Sequence, residues 1–92
     1  MFHVYVLEAT ARSGRRTIHV GIAKDPHRRM KDHANGRVKA TRGRLIRLVG
    51  DSSAMKHGDA LRLEAALKKK SRTEKLKWAK EAQDEQQRVG GD

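Results

Sequence analysis

The sequence predicts an α+β domain in which a three-stranded antiparallel sheet is flanked by helices, in the order β-β-α-β-α-α. Three observations predict it. Two stretches near the N-terminus, Phe2–Leu7 and Thr17–Ile22, carry side chains in the period of two that a half-buried strand requires. Asp25-Pro26 directly follows the second stretch and is a helix start: a side chain that accepts from the first free N–H groups, then a residue whose missing N–H costs nothing there. The last 40 residues show apolar positions at helical spacing, broken once by Ser71-Arg72-Thr73-Glu74, the pattern of a capping box.

Taken in order, the first strand sends Phe2, Val4 and Val6 to one face and His3, Tyr5 and Leu7 to the other. Thr10–Arg16, polar and containing Gly14, joins it to Thr17–Ile22 as a hairpin. With the aliphatic faces aligned, Tyr5 and His19 fall on the same side. The first helix spans Pro26–Ala34 and stops at Asn35-Gly36. It sets Asp25, Arg29 and His33 along one face at i, i+4 spacing. Arg37–Gly43 is a basic loop without apolar periodicity. Arg44–Val49 is a third strand, read as central because both of its faces carry aliphatics. Ser52 or Ser53 is a cap for a second helix over Ala54–Lys70, whose inner stripe is Ala60, Leu63 and Leu67. A third helix runs from the capping box to Gln87, with Leu76, Ala79 and Ala82 inward, and Val89–Asp92 is read as a tail. Residues 1–88 thus form one domain.

Composition limits what such a domain does. A chain of 92 residues buries roughly 60–65% of its unfolded surface, so the core is small. With aromatics at 3%, that core rests on Val, Ile, Leu, Met and Ala. The formal charge of +11 selects a polyanion as partner, nucleic acid before an anionic membrane surface. No apolar run approaches the ~20 residues of a membrane span, and Met1-Phe2-His3-Val4 lacks the basic and apolar regions of a signal peptide. A cytoplasmic monomer is the expectation. Without Cys there is no disulfide framework and no thiolate metal site. Neither H-E-x-x-H nor G-x-x-x-x-G-K-[ST] occurs, so a histidine zinc site of that type and a phosphate-binding loop are not expected.

The segment Thr17–His33, T-I-H-V-G-I-A-K-D-P-H-R-R-M-K-D-H, resembles the second half of the GIY-YIG nuclease signature, with His3-Val4-Tyr5 as the first triplet and His19-Val20-Gly21 as the second. Gly36–Arg44 and Ala60–Lys75 resemble the small single-domain bacterial branch of that family, so the likeness covers about Phe2 to Lys80. It implies a metal-dependent endonuclease that hydrolyses phosphodiester bonds, with DNA the expected substrate, leaving 5′-phosphate and 3′-hydroxyl ends. Its alternative is a nucleic-acid-binding module on the same fold without cleavage.

Five residues carry the implied chemistry. Glu64 adjoins the inner stripe of the second helix, where Glu is seldom found unless paired or metal-bound. The resemblance makes it the ligand of one Mg²⁺ or Mn²⁺; the plain alternative is an i, i+4 pair with Lys68. Arg29 suits the phosphoryl oxygens, since a planar guanidinium holds two of them. His33, one turn on, is placed near phosphate or water. Tyr5 matches the tyrosine that orders the attacking water. At His19 the family has tyrosine. An imidazole titrating near ~6.5 needs less activation than a phenol near ~10, so His19 is read as the general base; the other reading of this departure is a decayed site that only binds nucleic acid. Arg37, Lys39, Arg42, Arg44 and Lys68 are the candidate contacts to the nucleic-acid backbone. With only Phe2, Tyr5 and Trp78 available, a base-stacking platform is not expected.

Overall fold

In the computed structural model, which describes residues 1–90, the chain runs β1 (His3–Thr10), β2 (Arg16–Ala23), α1 (Pro26–Ala34), a single 3-10 turn (Lys39–Thr41), β3 (Leu45–Asp51), α2 (His57–Lys68) and α3 (Arg72–Gly90). The element order and the antiparallel three-stranded sheet are those expected. The hairpin closes tightly: the Ala11 N–H donates to Arg15 O at 2.9 Å, and Gly14 takes φ 89°, which glycine adopts without a Cβ penalty.

The centre of the sheet differs from the expectation. The strand order is β2-β1-β3, so β1 is central and β3 is an edge. Val4 and Val6 on one face of β1 and Tyr5, Leu7 and Ala9 on the other are all buried. On β3, by contrast, Leu45 is 78% exposed. Aliphatics on both faces of β3 suggested centrality, but helices cover both faces of this edge: Leu48 packs towards α1, and α3 lies across the other side. Gly50 of β3 sits so close under α3 that a Cβ there would meet the Ala79 carbonyl. Val6 pairs with Gly50 and Leu7 with Leu48, so Val49 is the extra residue of a bulge.

The sheet therefore separates two small cores. Tyr5, Leu7 and Ala9 pack with Ala23, Met30, Ile46 and Leu48 beneath α1. Val4, Ala60 and Leu67 pack with Phe2, Val20, Ile22, Met55, Leu63 and Trp78 beneath α2 and α3. Fully burying each Val or Leu side chain contributes about 1.5–3 kcal/mol, so few residues carry much of the fold.

α2 begins later than expected, at His57, and no side chain caps it. The cause lies in the sheet. Phe2 and Met55 exchange backbone hydrogen bonds of 2.7 and 2.8 Å, which holds 52–55 extended beside the start of β1. Ser52, one of the two expected caps, instead accepts the Val4 N–H at 2.9 Å and donates to Ser53 O. The capping box of α3 forms as expected: the Glu74 N–H donates to Ser71 Oγ and the Ser71 N–H to the Glu74 carboxylate. α3 continues to Gly90, past the expected end at Gln87, taking in part of the stretch read as a tail; Gly91 and Asp92 lie outside the described residues. Among the described residues no helix is long and apolar enough to cross a membrane.

Candidate functional site

A cleft of about 490 Å³ opens between β2, α1, the start of α2 and the loop that follows α1. Tyr5, His19, Arg29, His33 and Glu64 all line it. Its floor follows from strand register. Tyr5 pairs with Gly21 and Leu7 with His19, which puts Tyr5 and His19 on one face of the sheet, two residues apart along the ladder. The Tyr5 ring lies across Gly21, and a Cβ at 21 would overlap its hydroxyl and ring. Glycine is needed there to seat the phenol, not to make a turn.

α1 supplies one wall. The Asp25 carboxylate accepts the Arg28 N–H at 3.3 Å and Pro26 opens the helix, which fixes the phase of the turns that follow. That phase puts Arg29 and His33 on the cleft, and Arg28 is not among the lining residues. Arg29 also stands 3.9 Å from Asp32. His33 is buried, with Tyr5 Oη 3.2 Å from its Nε2 and Thr41 Oγ1 2.8 Å from its Nδ1.

The basic loop supplies a second wall through Val38, Ala40 and Thr41. Among the expected backbone contacts, Arg37, Lys39 and Arg42 are exposed on this loop. Arg37 pairs with Asp32 at 3.4 Å, and the Arg42 Nε–H donates to Gly36 O at 2.9 Å. Arg44 is different: it is half-buried, and its guanidinium donates to Thr17 Oγ1 at 3.0 Å. Thr17 Oγ1 in turn lies 2.9 Å from His19 Nε2. Arg44 thus reaches the His19 side of the site through one of its guanidinium N–H groups.

α2 closes the cleft with His57, Leu61 and Glu64, which share a face at i, i+4 and i+7. Glu64 is 20% exposed and pairs with Lys68 at 3.5 Å. His57, whose ring stacks on Phe2 at 4.5 Å between centroids, was not singled out from the sequence. Its spacing from Glu64 was the available signal. The first triplet's His3 has a structural partner, Ser52 O, 2.8 Å from its Nδ1.

Electrostatically the neutral form of both site imidazoles is favoured. Burial lowers His19 below its ordinary value, and the Arg44 and Lys75 cations add to this. Burial also lowers His33, with Arg29 and His19 adding and Asp32 opposing. A neutral imidazole accepts a proton, and a guanidinium beside it attracts a phosphate, so the cleft suits proton removal next to an anion.

Among the described residues no group of three or more His, Asp or Glu is arranged to hold a metal. A single cleft carboxylate fits one kind of ion: a hard divalent cation that keeps several waters and is completed by substrate oxygens. It does not fit a closed cage of protein ligands.

Comparison with known proteins places the chain in a family. The family model described as the GIY-YIG catalytic domain matches residues 1–77. Two UPF0213 proteins of Streptococcus agalactiae, from a serotype V and a serotype III strain, are each 35% identical over 86 residues, covering 91% of this chain and 93% of theirs. No solved structure matches the chain. Domains of the matched family are generally nucleases that act on nucleic acid with a divalent metal.

Proposed function

The chain belongs to the GIY-YIG family, and on that footing we propose that it is a metal-dependent endonuclease hydrolysing nucleic-acid phosphodiester bonds, with DNA as substrate. The observation that most supports this reading is the single cleft lined by Tyr5, His19, Arg29, His33 and Glu64. These residues come from four elements, β1, β2, α1 and α2, and packing alone does not require them to be polar together.

In this mechanism His19 is the general base. Thr17 Oγ1 accepts from Arg44 and from His19 Nε2–H and donates to Ala9 O, 3.5 Å away. Every donor then has an acceptor, and Nδ1 of His19 is left bare to take the proton of a water. Tyr5 orients that water through its phenolic oxygen. Arg29 binds the non-bridging oxygens of the scissile phosphate, where charge grows as the water adds. Glu64 would hold Mg²⁺ or Mn²⁺, which would supply Lewis-acid stabilisation of charge on the leaving 3′ oxygen. Lys68 must release the Glu64 carboxylate for this and is then free to meet the backbone. Arg37, Lys39 and Arg42 extend the cationic track along the cleft wall.

The alternative, a binding module without cleavage, draws support from the Glu64–Lys68 pair and from histidine standing at position 19. The two readings part in a nicking assay on duplex, single-stranded and branched DNA with and without Mg²⁺. Metal-dependent nicking is expected from the first reading, and tight, salt-sensitive binding without nicking from the second.

A further inference from the structure

We propose that Thr41 is a positioning residue that sets the direction of the hydrogen bonds running from the Val38 carbonyl to Tyr5, by keeping the His33 proton on Nδ1. Three donors meet in this buried chain: the Tyr5 hydroxyl, one ring N–H of neutral His33, and the Thr41 hydroxyl. Thr41 is fully buried, Tyr5 is 4% exposed and His33 5%. Buried donors must find acceptors.

Two arrangements fit the distances. In the first, Thr41 donates to His33 Nδ1, Nε2–H donates to Tyr5, and the Tyr5 proton is left with no protein acceptor among the described residues. In the second, Thr41 donates to Val38 O at 3.4 Å, His33 Nδ1–H donates to Thr41 Oγ1 at 2.8 Å, and Tyr5 donates to Nε2 at 3.2 Å. Only the second gives each of the three donors an acceptor within the protein. Val38 O also takes the Thr41 N–H at 3.2 Å, and a carbonyl oxygen has lone pairs for both. The 3-10 turn Lys39–Thr41 makes this possible, because it brings the Thr41 side chain back over the Val38 carbonyl.

The consequence reaches the cleft. With its proton committed to His33, the Tyr5 oxygen presents lone pairs towards the cleft and accepts from a water. With the chain reversed, Tyr5 would donate into the cleft and turn a water's lone pair away from the phosphate. The residue that sets this polarity sits between Lys39 and Arg42, on the loop expected to meet the backbone. The catalytic consequence rests on the nuclease reading above; the position of the His33 proton does not.

The test has an arm for each. Long-range ¹⁵N–¹H correlation spectra of the full chain at neutral pH report which His33 nitrogen carries the proton, with His33→Gln identifying the signals. Wild type is expected to show Nδ1–H, the less common form of a free imidazole. Thr41→Val, which keeps the shape and loses the hydroxyl, is expected to move the proton to Nε2. Thr41→Ser is expected to keep it on Nδ1. Nε2–H in wild type would overturn the proposal without any variant, and so would an unmoved proton in a folded Thr41→Val. In the nicking assay, Thr41→Val should lower kcat about five- to tenfold with KM little changed, as expected for one misdirected hydrogen bond, and Thr41→Ser should restore it. A moved proton with unchanged kcat would overturn the catalytic part. Absence of nicking in wild type, with Nδ1–H observed, would instead remove the nuclease reading and leave the assignment of the Thr41 role standing.

Discussion

Protonating His19 sets burial and the Arg44 and Lys75 cations against it, so the neutral ring persists to a lower pH than in a free imidazole. A general base works when deprotonated. Nicking should therefore rise with pH, with the midpoint of the rise below the ordinary histidine value of about 6.5. His19→Tyr, which restores the triplet of the family, should keep some activity and move the rise towards the phenol range near ~10 under the same metal concentration. His19→Ala should lose most of the activity. A His19→Ala protein as active as wild type would remove His19 from the base role. Arg29 and Glu64 were legible residue by residue because helix phase is set by Asp25 and Pro26 in one case and by the Ala60, Leu63 and Leu67 stripe in the other. Thr17 and Thr41 were not. A threonine in a polar segment looks the same whether it faces solvent or a buried imidazole, and only the fold decides between them.

At the level of elements, the hairpin is the part of the fold that makes the site. Gly21 belongs to it because the Tyr5 ring crosses β2 at that residue. Gly21→Ala should push the phenol off the cleft floor, costing about 1–3 kcal/mol of stability as overpacking and abolishing most nicking. Chemical denaturation and the nicking assay read the two effects separately, and a fully stable, fully active Gly21→Ala would contradict the placement of Tyr5. The elements themselves were largely readable. β1, β2, α1 and the capping box of α3 announce themselves through period-two alternation, Asp25-Pro26 and Ser71-x-x-Glu74. The strand order was not readable, since apolar residues on both faces of Leu45–Asp51 are satisfied equally by neighbouring strands and by helices on either side. The late start of α2 was hidden for a related reason. Ser52 has the side chain of a helix cap, and what fixes it is a strand N–H 48 residues away in sequence.

For the whole molecule, the charge of +11 is carried in part by the loop beside the cleft, with Arg37, Lys39, Arg42 and Arg44, and in part by the hairpin turn, with Arg12, Arg15 and Arg16. Several cations neutralising phosphates release counterions, so affinity for DNA should fall steeply with salt, and charge reversal at Arg37, Lys39 and Arg42 should flatten the slope. Arg44, turned inward on Thr17, should contribute less to that slope than the other three. Affinity indifferent to salt would assign the basic surface to something other than nucleic acid. The central claim is that the cleft cleaves phosphodiester bonds through a cation held by Glu64. The most direct measurement is nicking of supercoiled circular DNA by wild type and by Glu64→Gln, each with Mg²⁺ and with chelator, alongside binding of the same DNA. The account predicts Mg²⁺-dependent nicking by wild type, none by Glu64→Gln, and equal or tighter binding by the variant once the carboxylate charge is gone. Nicking by Glu64→Gln at the wild-type rate would contradict it.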